Sequence, residues 1–250
     1  MSYEDTAQYY DSFDTKGNLP FYMDLAARTG GNVLELGVGT GRVLLEIANL
    51  GREVVGVDNS VAMLREAKRK RRELYHGVSG RCRLLLADML SLDLAETFGL
   101  VYAASGGVQS GSVDDLRGIF HSAARHLDGS GVFAFDVASP SSLRQTKAFP
   151  PERRELPGGR VVIRFVAQTY DEATDTVSYD LIFKEHIPGR TSTVTVTAGD
   201  EGAVVTMEAI EDALDYARLE AREIYGDFER SPYDDASKHI VVVAGLLNAP

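Results

Sequence analysis

The chain runs to 250 residues, 44% of them hydrophobic, enough for one sizeable core with a small appended subdomain. Its 26 basic against 37 acidic residues leave a net charge of -11, which argues against a nucleic-acid binder or a protein drawn to anionic membranes, since either would carry a basic face. A single cysteine, Cys82, rules out an intrachain disulfide and suits a reducing compartment. The acidic start "MSYEDTAQYYDSFDTKG" has no apolar signal core, and the longest apolar run, "IVVVAGLL", is far too short to span a bilayer, so the expectation is a cytoplasmic protein.

In chain order, "YEDTAQYYDSF" places Tyr3, Tyr9, Tyr10 and Phe13 ahead of the core, either as an amphipathic helix packed on it or as a mobile aromatic lid. From Asn32 to Val137, apolar runs of strand length alternate with helix-period segments. "NVLEL", "EVVGVD", "RCRLLLAD", "GLVYAAS" and "GVFAFDV" are apolar nearly throughout, as parallel strands covered on both faces must be. The clearest helix repeats Leu116, Ile119, Phe120, Ala123, Ala124 and Leu127 at three and four residues. Such alternation predicts βαβ units in an open parallel sheet.

After Pro140 the pattern changes. The stretch from Gly158 to Ala198 holds three strand-like runs separated by "DEATD" and "PGR" turn signals, which predicts a small antiparallel insert, with "PPERRELPGG" as its linker. A helix over Met207–Arg218 and strands at "REIYG" and "KHIVVVAGLL" follow, so the insert lies within a single α/β domain. The expected division is an N-terminal lid and leading helix over 1–30, a core over 31–139, linker and insert over 140–200, and a last helix with two strands over 201–250.

The stretch "GNVLELGVGTGRVLLEIANLG" decides which ligand this sheet serves. Gly37, Gly39 and Gly41 follow the first strand and open a helix with inner residues Val43, Leu44, Ile47 and Leu50. Glycine there lets backbone approach a ligand at positive φ. A dinucleotide fingerprint would need glycine at position 42, which is Arg42, and a Walker loop would need Gly-Lys-Ser/Thr, which is absent. What stands is Glu35-x-Gly37-x-Gly39-x-Gly41.

"VLELGVGTGR" resembles the first motif of class I S-adenosylmethionine (SAM)-dependent methyltransferases, and the resemblance covers Leu19 to Val137 and returns at "IYGDFERSPYDDASKHIVVVA". It implies a doubly wound, mostly parallel seven-stranded sheet, with "LPFYMDLA" as leading helix. It implies SAM as cofactor and S-adenosylhomocysteine as product. Asp58, ending "GVD", would take the ribose hydroxyls while Ser60 caps the next helix. Asn59 and Met63 would line the adenine, Asp88 would take its amino group, and Met89 would pack near the ring. The small residues of "AASGG", from Ala103 to Gly107, would leave room for the methionine moiety, with Ala104 against it. Tyr9 is expected near the sulfonium, where an aromatic ring gains cation–π stabilisation.

Methyl transfer is a displacement at a carbon already activated by positive sulfur, so the protein's tasks are alignment and exclusion of water. An amine acceptor must only arrive unprotonated, whereas a hydroxyl wants a base. Asp136 at the end of the fifth strand, His186 in the insert and Tyr10 in the lid are the candidate catalytic residues. His121 and His126, five apart on one helix, read as partly exposed helix residues. Two departures from family variants narrow the acceptor: there is no Asn/Asp-Pro-Pro-Tyr/Phe tetrad after the fourth strand, and no metal-ligand cluster. Both favour a small organic acceptor, an amine or hydroxyl of a secondary metabolite, with no metal. A homodimer through the insert is expected, along with two open alternatives: a non-catalytic SAM-binding scaffold or sensor, and a nicotinamide oxidoreductase.

Overall fold

The structure, a computed structural model, describes residues 6–13, 17–109, 112–189 and 194–247; Tyr3 lies outside them. A short helix α1 (Ala7–Tyr10) and a 3-10 turn (Asp11–Phe13) precede α2 (Leu19–Arg28), which buries Phe21, Tyr22, Leu25 and Ala26 at helical spacing. The alternating region forms β1 (Val33–Leu36), α3 (Leu44–Asn49), β2 (Val54–Asp58), α4 (Val61–Glu73), β3 (Cys82–Leu86), β4 (Phe98–Ala103), α5 (Val113–Arg125) and β5 (Leu127–Ala138). A short α6 (Pro140–Leu143) leads to β6 (Lys147–Ala148), β7 (Glu152–Leu156), β8 (Arg160–Asp171), β9 (Thr176–His186) and β10 (Val194–Ala203). Then come α7 (Met207–Ala217), β11 (Leu219–Tyr225) and β12 (His239–Leu246).

Seven strands form one sheet in the order β11-β12-β5-β4-β1-β2-β3. The five from β5 to β3 run parallel, while β12 is antiparallel to both β5 and β11. Both faces are covered, as the continuous apolar runs required. In β12, Ile240, Val242 and Ala244 enter the core under α5 and α7, while Val241 and Val243 enter the core under α2, α3 and α4. Strand order reverses between β1 and β4, and a doubly wound sheet opens its ligand cleft at such a point, outside the C-terminal strand ends. Among the described residues no helix is long and apolar enough to cross a membrane.

The insert differs from the expectation of three strands. It forms a second sheet, β10-β9-β8-β6, with β7 also pairing β8, so "ERREL" within the expected linker is a strand. β7 escaped notice because an edge strand can be held by its ladder alone. Its Glu152, Arg153, Arg154 and Glu155 show no apolar alternation, and Glu152 pairs with Arg164 across the ladder. One face of this sheet is seated on the α/β core. Gln168 donates to the carbonyls of Leu143 (2.9 Å) and Gln145 (2.7 Å), and Val177 packs with Leu143 and Val204.

Three smaller readings are corrected. Leu127 begins β5 and does not end α5. Leu50, expected on the inner face of its helix, is the C-cap of α3 and is 51% exposed. His126 is buried, not a half-exposed helix residue: its Nε2 accepts the Leu94 amide (2.8 Å), which leaves Nδ1–H to donate to the Ser122 carbonyl (2.6 Å).

Candidate active site

A cavity of about 890 Å³ opens at the C-terminal ends of β1, β2 and β4, and the inner face of the insert roofs it. Its floor is the glycine loop. Gly37, Gly39 and Gly41 all have positive φ, at 72°, 52° and 75°, but they serve different ends. A Cβ on Gly39 would meet no atom within 4 Å, whereas one on Gly41 would press on Ala67 and Leu45 at 3.3 Å. Gly39 therefore keeps backbone open to a ligand, while Gly41 lets α3 pack and is not part of the lining.

Asp58 sits beside that loop. Its Oδ2 accepts the Gly39 amide (2.7 Å) and its Oδ1 accepts the Ser60 amide (2.8 Å), while the Ser60 hydroxyl accepts the Met63 amide as the helix cap. Burial pushes the Asp58 carboxyl above its ordinary value, and the two amides pull against that. Glu35 is deeper, 3% exposed, and accepts the Tyr102 hydroxyl at 2.9 Å. Burial pushes it up to about 8, opposed by Tyr102 and by the Arg42 charge.

The remaining expected residues divide. Asn59, Met63, Met89 and Ala104 line the cavity with Glu35, Gly37 and Asp58, and Tyr10 faces it from α1. Asp88 does not line it; it is exposed and accepts the Leu90 amide at 2.9 Å as the cap of a 3-10 turn. Tyr9 is 1% exposed and turns away from the cavity. It stacks on Phe183 (5.3 Å between centroids) and donates to Glu185 (2.8 Å). Tyr9 thus fastens the N-terminal segment to the insert, where Arg160 holds the other Glu185 oxygen at 2.6 Å. A second fastening joins the segment to the glycine loop: Thr40 donates to Asp11 (2.6 Å), and the buried Lys70 pairs with the same carboxylate.

Neither proposed base reaches the cavity. His186 is exposed at the end of β9, on the sheet face opposite Phe183 and Glu185. Asp136 is 4% exposed and accepts three hydrogen bonds, from the Tyr22 hydroxyl (2.6 Å) and from the Ser105 (2.9 Å) and Gly106 (3.2 Å) amides.

Arg42 escaped notice although it stands in the quoted motif. Its Nη2 donates to Asn18 Oδ1 (2.6 Å) and Ser105 Oγ (2.7 Å), which places a cation in the cavity wall. The signal was available in the glycine run itself, whose last member is followed by arginine. The aromatic couple Tyr22–Tyr102, with ring centroids 5.0 Å apart, had no sequence signal, because its members lie on α2 and β4. Among the described residues no group of three or more His, Cys, Asp or Glu is placed to hold a metal ion.

The site suits SAM: an open backbone cradle, a strand-end carboxylate for a ribose, apolar methionines for a ring, and both signs of charge for an amino acid. Comparison with known proteins agrees. Residues 33–131 match the profile of a family described as a methyltransferase domain. Over 223 residues the chain is 29% identical to the cypemycin N-terminal methyltransferase of a Streptomyces species, covering 86% of this chain and 82% of that one. The CcbJ methyltransferase of Streptomyces caelestis superposes with a TM-score of 0.80 at 25% identity, covering 99% of this chain and 98% of its own. An S-adenosylmethionine-dependent methyltransferase from Clostridium acetobutylicum gives 0.81 at 22% identity, over 98% and 99% of the two chains. The likeness extends past the 33–131 core to the insert and last strands, which supports a class I SAM-dependent methyltransferase, an enzyme whose cofactor is S-adenosylmethionine.

Proposed function

We propose that the enzyme methylates the amine nitrogen of a small organic acceptor, in the manner of a secondary-metabolite methyltransferase, bound between the glycine loop and the inner face of the insert. The observation that carries this reading is that neither Asp136 nor His186 lines the cavity, which leaves Tyr10 as the one expected catalytic residue that does. The Asp136 carboxylate is occupied by Tyr22 and two amides, and His186 lies on the outer face of the insert. A hydroxyl acceptor wants a base at the reacting atom, whereas an amine needs only to bind in its neutral form. The relative named as an N-terminal methyltransferase supports nitrogen as well.

In this reading the Gly37–Gly39 backbone cradles the donor, Asp58 accepts its ribose hydroxyls, and Met63, Met89 and Asn59 border its adenine. Glu35 and Arg42 then face its ammonium and carboxylate. When bound, SAM supplies a methyl carbon made electrophilic by the adjacent positive sulfur. The chain's own residues orient and enclose. Tyr179, Leu181 and Phe183 share the inner sheet face and, with Tyr10, form an amphipathic wall that excludes water and selects the acceptor's shape. Purified enzyme with SAM should turn over amines from a metabolite panel, at a rate that rises with pH as each amine loses its proton. Mass spectrometry should find S-adenosylhomocysteine and an N-methyl product; turnover confined to hydroxyl acceptors would overturn the assignment.

A further inference from the structure

Asp136 was expected to orient the acceptor, yet it does not line the cavity. Its three hydrogen bonds show what it holds instead. Two of the donors are the amides of consecutive residues, Ser105 and Gly106, both in the left-handed region with φ of 59° and 69°. A left-handed serine is disfavoured and persists only where its surroundings over-determine it. Here one buried carboxylate receives both amides, and the Tyr22 hydroxyl fixes that carboxylate from α2. The turn so held is part of the cavity wall.

The constraint continues into a side chain that can meet a ligand. Ser105 Oγ accepts from Arg42 Nη2 (2.7 Å) and from Asn18 Nδ2 (2.9 Å), so the backbone that Asp136 holds carries the acceptor that aims the guanidinium. On the other side of Tyr22, its ring packs on Tyr102, whose hydroxyl is bonded to Glu35. The groups facing Asp136 are thus Tyr22 from α2, the Ser105–Gly106 amides after β4 and, electrostatically, His239 from β12. The turn lies on the β4 side of the glycine loop, opposite Asp58 and Met89, which lie toward β2 and β3.

We propose that Asp136 and Tyr22 are positioning residues for methyl transfer, locking the Ser105–Gly106 turn and, through Ser105, the Arg42 guanidinium in the shape that receives the amino-acid end of SAM. This rests on the donor orientation given under the proposed function, with the nucleoside toward β2 and β3. The test therefore compares two ligands by titration calorimetry: S-adenosylhomocysteine, and 5′-methylthioadenosine, which keeps the nucleoside thioether but lacks the amino-acid tail. Wild type should bind the former more tightly. Asp136→Asn should weaken S-adenosylhomocysteine about tenfold or more while leaving methylthioadenosine within about twofold, which is a loss of aim and not of fold. Tyr22→Phe and Ser105→Ala, each removing one hydroxyl, should show the same selective loss in smaller measure, and they keep the test open should Asp136→Asn fail to fold. Equal weakening of both ligands in step with melting temperature would make the couple merely structural and overturn the proposal. So would unchanged selectivity in folded Tyr22→Phe and Ser105→Ala. A wild type that binds both ligands equally would instead refute the donor orientation, and the proposal with it.

Discussion

Replacing Asp58 with alanine separates a ligand-binding carboxylate from a structural one. Asp58 accepts the Gly39 and Ser60 amides and lines the cavity beside the glycine loop. If it also accepts the ribose hydroxyls, each is a hydrogen bond to a charged acceptor, and the loss on binding should be about 1.5–3 kcal/mol. That corresponds to roughly 10- to 150-fold in Kd. Gly39 lines the cavity and Ser60 is half-exposed, so the freed amides can rehydrate and the fold should lose no more than about 1 kcal/mol, a fall of a few degrees in Tm. Asp58→Asn, which keeps one acceptor oxygen, should be intermediate. Because burial raises the Asp58 carboxyl above its ordinary value, wild-type affinity should fall as pH drops through that raised value, and the alanine variant should lack that component. Titration calorimetry with SAM and S-adenosylhomocysteine across pH, beside melting curves, measures all of this. Affinity within twofold of wild type in a folded Asp58→Ala would refute the ribose role and leave Asp58 as a brace for the loop.

Glu35, held up to about 8, should be largely protonated in the empty enzyme at pH 7, so binding a cationic donor beside it should release a proton, seen as a buffer-dependent calorimetric heat that vanishes in Glu35→Gln. Since its folded value lies above the ordinary 4.5, it stabilises the empty fold at low pH and that contribution is lost as pH rises through about 8; Glu35→Gln should flatten a slope worth up to about 5 kcal/mol, and an unchanged pH–stability curve would count against its burial. Gly39→Val should abolish SAM binding, because it sets a branched side chain at positive φ in the ligand's space; wild-type affinity would reduce the loop to a turn. Leu181→Arg in the roof should keep SAM affinity within about threefold while removing acceptor turnover, and retained turnover would move the acceptor elsewhere. His126→Leu should lower stability by about 1 kcal/mol, since it leaves the half-buried Leu94 amide without its acceptor, with kinetics of the folded enzyme unchanged; a melting curve like wild type's would show that water replaces the imidazole.

The glycine-loop side of the cavity was legible because it is local. A glycine that must hold positive φ at a strand end, a carboxylate ending the next strand and a serine capping the next helix are each decided within a few residues. Glu35, Gly37, Gly39, Asp58 and Met63 are therefore found where the motif spacing put them. A side chain's place in a motif does not fix its neighbours in space. Asp136 ends a strand beside the cavity, as expected, but the strand turns its carboxylate into a waiting tyrosine and two amides. Tyr9 and Tyr10 are adjacent on one helical turn, so only one can face the cavity, and the partner at Phe183 decides which.

What the sequence by itself determined is the class of sheet, its continuous apolar strands, the helix faces and the glycine cradle, because period and backbone conformation are properties of a few consecutive residues. Only the tertiary structure decided that a charged stretch becomes strand β7 and that Arg42, Ser105, Asp136 and Tyr22 form one linked set. Those four come from the start of α3, the turn after β4, the end of β5 and the middle of α2. Their chemistry depends on distances between chain segments up to 114 residues apart, and such distances are set by packing and carry no mark in local sequence.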